Sequence, residues 1–249
     1  IAADEKVTSM IRVPEFDEEK YLVMVTKQGI IKRISLNAYN TARKGGLIAL
    51  ELNEGDELAW VRLTDGNQQV IVATKNGLAI RFEETDVRPM GRQARGVKAI
   101  SLREGDCVVG MCVVTNDDLI LTASETGFGR ISNVSDYRLQ SRGGKGITNY
   151  HTEKYGNVAA VSAVKLTDDI IIISQEGVII RIAADTVRIC NRPSKGVTLM
   201  RIGENDKVVT VARAPHEDSE SEKTEETAEE ETSEENTAPE TNAEENTEE

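Results

Sequence analysis

The sequence predicts an all-β, propeller-like fold built from four-stranded blades of about 50 residues each. First, a hairpin pattern occurs four times: an apolar, β-branched run, a polar turn ending in glycine, and a second apolar run ending near a cation. The turn glycines, Gly29, Gly77, Gly127 and Gly177, are 48, 50 and 50 residues apart. Second, no segment shows the 3.6-residue period of an amphipathic helix. Because each unit has one face to bury, neighbouring blades are expected to cover one another around an axis.

Each repeat unit is predicted to contain four strands. The hairpins are expected at 21–33, 70–81, 119–130 and 170–181. A third strand is predicted at 47–52, 97–102, 147–151 and 197–202. A fourth is predicted at 57–63, 107–114, 157–164 and 207–212. Acidic turns join the third strand to the fourth at 54–56, 104–106 and 203–206, whereas the third unit differs at 153–156.

The two ends of the chain differ from the repeats. Segment 4–13 resembles 205–214, so residues 1–13 are predicted to be the end strand of a preceding blade that has been cut away upstream. Residues 14–214 are predicted to form a four-blade domain. Residues 215–249 are predicted to be a disordered acidic tail, because they contain no aromatic or large aliphatic side chain.

The net charge of -13 arises in this tail. Residues 217–249 contain 16 acidic residues and one lysine, which leaves 29 basic and 27 acidic residues in the rest of the chain. The tail is therefore predicted either to compete with nucleic acid for a basic surface or simply to keep the protein in solution.

Several functional classes are disfavoured by composition. Three cysteines and two histidines are too few for a four-ligand metal site with the usual paired spacing. Cys107 and Cys112 lie in an apolar run and are predicted to be core residues in a reducing, cytoplasmic compartment. No apolar run approaches ~18 residues, so no membrane partner is expected. No catalytic set of Ser/His/Asp or Cys/His type is found, so we expect no cofactor and no enzymatic activity in this chain alone.

A basic, glycine-containing loop follows each hairpin. The loop of the third unit contains, after Gln140 and Ser141, the residues Arg142, Gly143, Gly144, Lys145 and Gly146. The other loops contain Arg43 and Lys44, Arg92 and Arg95, and Arg192 and Lys195. Glycines let the backbone adopt positive φ and present its N–H groups, while the cations supply charge for phosphate oxygens. The loops are therefore predicted to contact phosphates.

The basic loops have three interpretations. A nucleotide-binding P-loop is disfavoured, because the required glycine and Ser/Thr positions are not filled. A structural turn with solvated cations stays open for any single loop. Repetition favours contact with a duplex backbone along one edge. A duplex-binding protein of this kind is expected in the cytoplasm, associated with the nucleoid. We expect the cations near the hairpin ends to join this surface: Lys32, Arg33, Arg81, Arg130 and Arg181. Arg88, Arg138 and Arg188 recur shortly before the loops.

Double-stranded DNA fits this pattern better than single strands. Aromatic residues make up only 4% of the chain, whereas single-strand binders use aromatic stacking. No recognition helix is evident, so base reading in the major groove is not expected. Affinity should fall with salt by about 0.9 log units per log unit for each phosphate neutralised.

Residues 4–214 resemble the C-terminal domains of bacterial DNA gyrase A subunits, and residues 140–146 resemble the basic box of that family. The resemblance implies a β-pinwheel, a propeller-like disc whose blades exchange a strand. It implies that duplex DNA wraps around the rim, so that a holoenzyme introduces negative supercoils. It further implies a gyrase A homodimer joined to gyrase B in an A2B2 enzyme, with the catalytic tyrosine and the ATP- and Mg-dependent ATPase outside this chain.

Two alternatives remain open. The related topoisomerase IV A subunit has a similar domain. A propeller-like protein-interaction module would use its faces rather than its rim, and charge reversal at Arg142 and Lys145 would then leave partner binding intact.

Overall fold

The computed structural model describes residues 7–13, 15–41 and 46–216. Over these residues the chain is all-β, with four sheets in a propeller-like arrangement, which confirms the predicted fold class. The strands are β1 (Tyr21–Thr26), β2 (Ile30–Ser35), β3 (Leu58–Thr64), β4 (Gln69–Thr74), β5 (Leu78–Glu83), β6 (Val97–Lys98), β7 (Val108–Val114), β8 (Leu119–Ser124), β9 (Phe128–Asn133), β10 (Ile147–Thr148), β11 (Val158–Val164), β12 (Asp168–Ser174), β13 (Ile179–Ala183), β14 (Val197–Thr198) and β15 (Val208–Pro215).

All four predicted hairpins form: they are the two central strands of three sheets, and in the fourth sheet β12 is central and β13 is an edge strand. Their turn glycines have φ between 79° and 87°, the left-handed region that glycine adopts without strain. A hydroxyl at the end of each first strand accepts a hydrogen bond from the N–H after the glycine, as Thr26 does from Ile30 at 3.1 Å. An aspartate of the acidic turn accepts from the second turn residue, as Asp56 does from Gln28 at 2.9 Å. The acidic turns therefore hold the hairpin turns in place.

Strand exchange joins each blade to the next unit of the chain. The sheet orders are β3-β1-β2-β6, β10-β5-β4-β7, β11-β8-β9-β14 and β13-β12-β15. The short outer strands β6, β10 and β14 thus pair with the hairpin of the preceding unit. We name these sheets blades 1 to 4. The arrangement confirms the pinwheel that the resemblance implied.

The third strands are shorter than predicted, because the chain leaves the sheet edge after two residues. In the second unit Ala99 and Ile100 follow β6 and are buried in the core between blades 1 and 2. The Ala99 N–H donates to the hairpin-turn carbonyl of Gly29 at 2.8 Å instead of continuing the ladder.

Two predicted strands are not formed in the structure. Residues 47–52 and 7–13 are irregular, and the structure describes no earlier hairpin with which either could pair. Residues 1–6 and 217–249, including nearly all of the predicted tail, lie outside the described residues. At 153–156 the third unit forms a short helix, α1 (Thr152–Tyr155), where the other units have an acidic turn. Each second hairpin strand also leads into a 3-10 turn: Leu36–Tyr39, Glu84–Asp86, Val134–Asp136 and Ala184–Thr186.

The apolar core lies between successive blades in three clusters. The edge strands β7 and β11 pack closely, and a Cβ on Gly110 would lie 2.8 Å from the carbonyl oxygen of Val161. These edges therefore face the axis, and β6, β10 and β14 mark the outer edges. Cys112 is buried in the second cluster as predicted, and desolvation raises the pKa of its thiol to about 12. No helix of the described ranges is long and apolar enough to span a bilayer.

Candidate nucleic-acid interface

Three of the basic loops sit on the outer edges of blades 1 to 3. We call them loop 2 (residues 91–96), loop 3 (141–146) and loop 4 (191–196). Both ends of loop 3 are fastened to blade 2: the Gln140 N–H donates to the carbonyl of Arg81 at 3.0 Å, and Ile147 pairs with Ala79. Met90 and Cys190 dock loops 2 and 4 in the same way. Arg43 and Lys44 of the first unit lie outside the described residues.

The last glycine of each loop is required by close backbone approach. Gly146 has φ 75°, and a Cβ there would lie 2.5 Å from the carbonyl oxygen of Ala79. The corresponding atom on Gly96 would lie 2.6 Å from the carbonyl oxygen of Ile31. The loop glycines therefore let one unit pass tightly over the blade before it.

The first cation of loops 3 and 4 donates hydrogen bonds to backbone carbonyls on both sides of the preceding loop. Arg142 donates from Nε to the carbonyl of Asp86 at 3.0 Å and from Nη1 to that of Lys98 at 3.1 Å. Arg192 donates to Asp136 and Thr148 in the same pattern. These guanidinium groups are thus largely occupied with holding blades together, and a contact of their outer atoms with DNA stays a prediction.

The last cation of each loop is exposed. Arg95, Lys145 and Lys195 each lie one residue before the final loop glycine, next to the outer strand. Arg95 contacts Glu51 at 2.6 Å, but both side chains are more than half exposed, so this ion pair is screened by solvent. The Lys195 ammonium lies 3.6 Å from the ring centroid of Phe128. One exposed cation per loop therefore occupies the same place on three blades.

The backbone groups of Gly143 and Gly144 in loop 3 are less available to phosphate than the sequence predicted. The Gly143 N–H donates to the carbonyl of Ala99 at 2.6 Å, and the Gly144 carbonyl accepts from the Ser101 N–H at 2.8 Å. The Gln140 amide nitrogen is buried and has no partner among the described residues. The predicted presentation of glycine N–H groups is thus wrong for Gly143, because that group already joins the blades.

Four of the five hairpin-end cations are buried, so their predicted place on the DNA-binding surface is wrong. Lys32 and Arg130 are 0% exposed, and Arg33 and Arg81 are 7% and 5% exposed. Arg181 differs: its side chain is 46% exposed and contacts Asp169 at 2.5 Å.

Carbonyl groups between the blades explain this burial. The Lys32 ammonium donates to the carbonyls of Ala49 and Arg92 at 2.7 and 2.5 Å. Arg81 donates to the carbonyls of Val134 and Tyr137 at 2.9 and 3.0 Å, closing the 3-10 turn of the next unit. Desolvation lowers the pKa of both cations. Both cations donate hydrogen bonds to carbonyls that would otherwise be buried without a donor.

Arg130 and Arg33 are held by a similar mixture of groups. The Arg130 guanidinium binds the carbonyl of Asn149 and lies 5.6 Å from the ring centroid of Tyr150, and desolvation lowers its pKa. Arg33 lies 4.5 Å over the ring of Tyr21 and 3.8 Å from Glu84. The sequence held one signal of this role: Lys32 and Arg130 align with Ile80 and Ile180 in the other units.

A second set of exposed cations lies beside the loops. Arg88, Arg138 and Arg188 are exposed, and their side chains have no hydrogen-bond or ion-pair partner in the described part of the chain. Across the described ranges no cluster of His, Cys, Asp and Glu could hold a metal ion. The outer edges therefore offer spaced positive charge, a surface suited to a long polyanion.

A family model for the DNA gyrase C-terminal domain, a β-propeller, matches residues 20–65, 68–114, 118–165 and 168–215, one match per repeat unit. The DNA gyrase A protein of Clostridium acetobutylicum is 55% identical over 95 residues, which is 38% of this chain and 11% of that protein. Its counterpart from Halalkalibacterium halodurans is 54% identical over 98 residues, 39% of this chain and 12% of that protein. The aligned part of the chain thus spans about an eighth of these curated relatives.

Two solved structures have the same fold. The C-terminal domain of DNA topoisomerase IV matches with a TM-score of 0.82 and 27% identity, covering 93% of this chain and 72% of the other. The C-terminal domain of DNA gyrase A matches with a TM-score of 0.76 and 27% identity, covering 86% of this chain and 72% of the other.

Proposed function

The chain belongs to the family of DNA gyrase C-terminal domains, and from that premise we propose that it wraps duplex DNA along the outer edges of its blades. The wrapped duplex would present a second segment for strand passage, so that the holoenzyme introduces negative supercoils. Binding would be directed at phosphates and not at base sequence.

One observation carries this proposal: the exposed cations Arg95, Lys145 and Lys195 occupy equivalent places on successive outer edges. Each lies directly before an outer strand that pairs with the preceding blade, so its backbone is fixed by the sheet. Repeated, rigidly placed charge suits a stiff polyanion. Bending 20–30 bp of duplex by 40–90° costs about 1–6 kcal/mol, which several such contacts together can offset.

The remaining parts of the enzyme belong to the same proposal. The chain would act within a gyrase A homodimer joined to two gyrase B subunits, in the cytoplasm and on the nucleoid. Strand cleavage by a tyrosine and hydrolysis of ATP with Mg²⁺ would take place outside this chain, which itself would need no cofactor.

Topoisomerase IV is the second candidate for the parent enzyme, because a domain of that enzyme has the same fold with a TM-score of 0.82. The family model and the curated relatives favour gyrase. The linking number of a closed circle separates wrapping from simple binding, since a domain that binds duplex without wrapping it leaves that number unchanged.

The test is ligation of nicked plasmid in the presence of increasing amounts of the chain at low salt. Wrapping predicts that the closed circles carry a positive linking-number change that grows with protein and disappears at high salt. A matched sample with Lys145→Glu and Lys195→Glu should give a much smaller change. Unchanged linking number for the unsubstituted chain would overturn the proposal.

A further inference from the structure

Three arginines outside the basic loops form a second repeated feature of the outer edges. Arg88, Arg138 and Arg188 occupy equivalent positions, four residues before the first cation of each loop. They differ from the loop arginines Arg142 and Arg192, whose guanidinium groups bind backbone carbonyls of the neighbouring unit. In the described residues their side chains have no such partner and remain available to a ligand.

The backbone around these arginines is fixed on both sides. Each follows a buried residue, Val87, Tyr137 or Val187, which anchors the end of a 3-10 turn in the core. The residue after each arginine forms a parallel bridge with the preceding blade, as Leu139 does with Arg81. A side chain held between two anchored neighbours loses little backbone freedom on binding.

An exposed apolar residue follows each arginine. These residues are Pro89, Leu139 and Ile189, and the last two side chains are 48% and 44% exposed. Apolar groups gain nothing from a phosphate, but they can pack on the apolar faces of deoxyribose. A pair made of an arginine and an apolar residue is therefore better suited to contact the sugars and bases that line a DNA groove than to contact phosphates alone.

Bent duplex offers such a surface where its minor groove turns toward the protein. The groove narrows there, its negative potential rises, and arginine side chains enter it without reading base sequence. Arginine suits this place better than lysine, since a guanidinium is more weakly hydrated than an ammonium. All three positions hold arginine, whereas the exposed loop position holds Arg95, Lys145 and Lys195.

We propose that Arg88, Arg138 and Arg188 enter the inward-facing minor groove of the wrapped duplex, with Pro89, Leu139 and Ile189 packed on its sugars. This rests on the proposed function, in which the loop cations hold the phosphates. Each blade edge then makes two kinds of contact, one with the backbone and one with the groove. Wrapping follows groove width and so prefers DNA whose narrow minor grooves recur once per helical turn.

The experiment compares binding to two duplexes of equal length, one with A-tracts phased at the helical repeat and one of mixed sequence. The unsubstituted chain is expected to bind the phased duplex more tightly. Combined substitution of Arg88→Lys, Arg138→Lys and Arg188→Lys keeps the charge and is expected to weaken binding to the phased duplex by about tenfold. It should also abolish the preference between the duplexes, while the salt dependence stays the same.

Arg103→Lys with Arg201→Lys is the matched control, because both arginines are exposed and lie just before the acidic turns. It should leave the preference intact. If the chain binds duplex but the triple substitution preserves the preference, or if no preference exists, the groove contact is overturned and the proposed function stands. If the unsubstituted chain binds neither duplex, both are overturned.

Discussion

The Nε of Arg142 donates to the carbonyl oxygen of Asp86 at 3.0 Å, which joins two residues 56 positions apart in the chain. The same guanidinium reaches Lys98, on the other side of loop 2. A residue whose sequence context suggested phosphate binding therefore spans the preceding loop and fixes the spacing of two blades. Loop 3 therefore has two roles: Arg142 holds two blades together, and the exposed Lys145 is the proposed contact with DNA.

Arg142→Ala should lower the free energy of unfolding by about 1–2 kcal/mol, because it removes two charge-assisted hydrogen bonds between blades at a partly exposed site. Urea denaturation followed by circular dichroism measures the change. Arg138→Ala, four residues away and without a partner in the described part of the chain, is the control and should shift stability by less than about 0.5 kcal/mol. Equal effects of the two substitutions would contradict the role given to Arg142.

Gly146→Ala should cost about 2 kcal/mol or more, because the backbone has φ 75° and a Cβ would lie 2.5 Å from the Ala79 carbonyl oxygen. Gly91→Ala provides the comparison, since Gly91 has no positive φ and nothing lies within 4 Å of its added Cβ. Thermal unfolding of both variants is the measurement. If the Gly146→Ala protein is as stable as the Gly91→Ala protein, the close approach of Gly146 to the Ala79 carbonyl is contradicted.

Lys145→Gln together with Lys195→Gln should weaken duplex binding at low salt and reduce the slope of log affinity against log salt by about 0.9 for each phosphate that is no longer neutralised. The fold should be unaffected, because both side chains are exposed. Lys165→Gln is the matched change, since Lys165 is also exposed but lies in the turn between β11 and β12. Because the control removes one charge and the test variant two, a fall in slope half as large in the control would mean that charge anywhere on the protein suffices.

Lys32→Met should destabilise the fold by about 1–3 kcal/mol, since the carbonyls of Ala49 and Arg92 lose their donor. Duplex affinity of the folded fraction should not change, because Lys32 is fully buried. A loss of affinity as large as that caused by the exposed loop lysines would restore Lys32 as a DNA contact.

The pH dependence of stability offers a separate check on Lys32. Burial lowers its pKa below 10.5, so the unfolded chain binds more protons than the folded chain between the lowered pKa and 10.5. The contribution of Lys32 to stability therefore rises as pH increases through that window. The difference in unfolding free energy between the unsubstituted chain and Lys32→Met, measured at pH 7 and pH 10, should grow with pH. A constant difference would contradict the desolvation.

The repeats predicted the hairpins well, because the glycine turns and β-branched runs are local signals. The exchange of β6, β10 and β14 could be inferred only by resemblance, since pairing with another unit is a long-range property. The exposed cations Arg95, Lys145 and Lys195 stand next to glycines, and that context marked them as loop residues. The prediction for Lys32 and Arg130 is wrong because the hairpins were expected to end beside them, whereas β2 continues to Ser35 and β9 to Asn133. Both side chains therefore lie within a sheet, where carbonyls between the blades bind them.

The most direct test of the account is hydrogen exchange of the backbone amides with and without saturating duplex. Wrapping along the outer edges predicts added protection within 88–96, 138–146 and 188–196, with little change in the hairpin turns at Gly29, Gly77 and Gly127. Protection concentrated in those turns, or spread evenly over the protein, would place the duplex elsewhere and contradict the account.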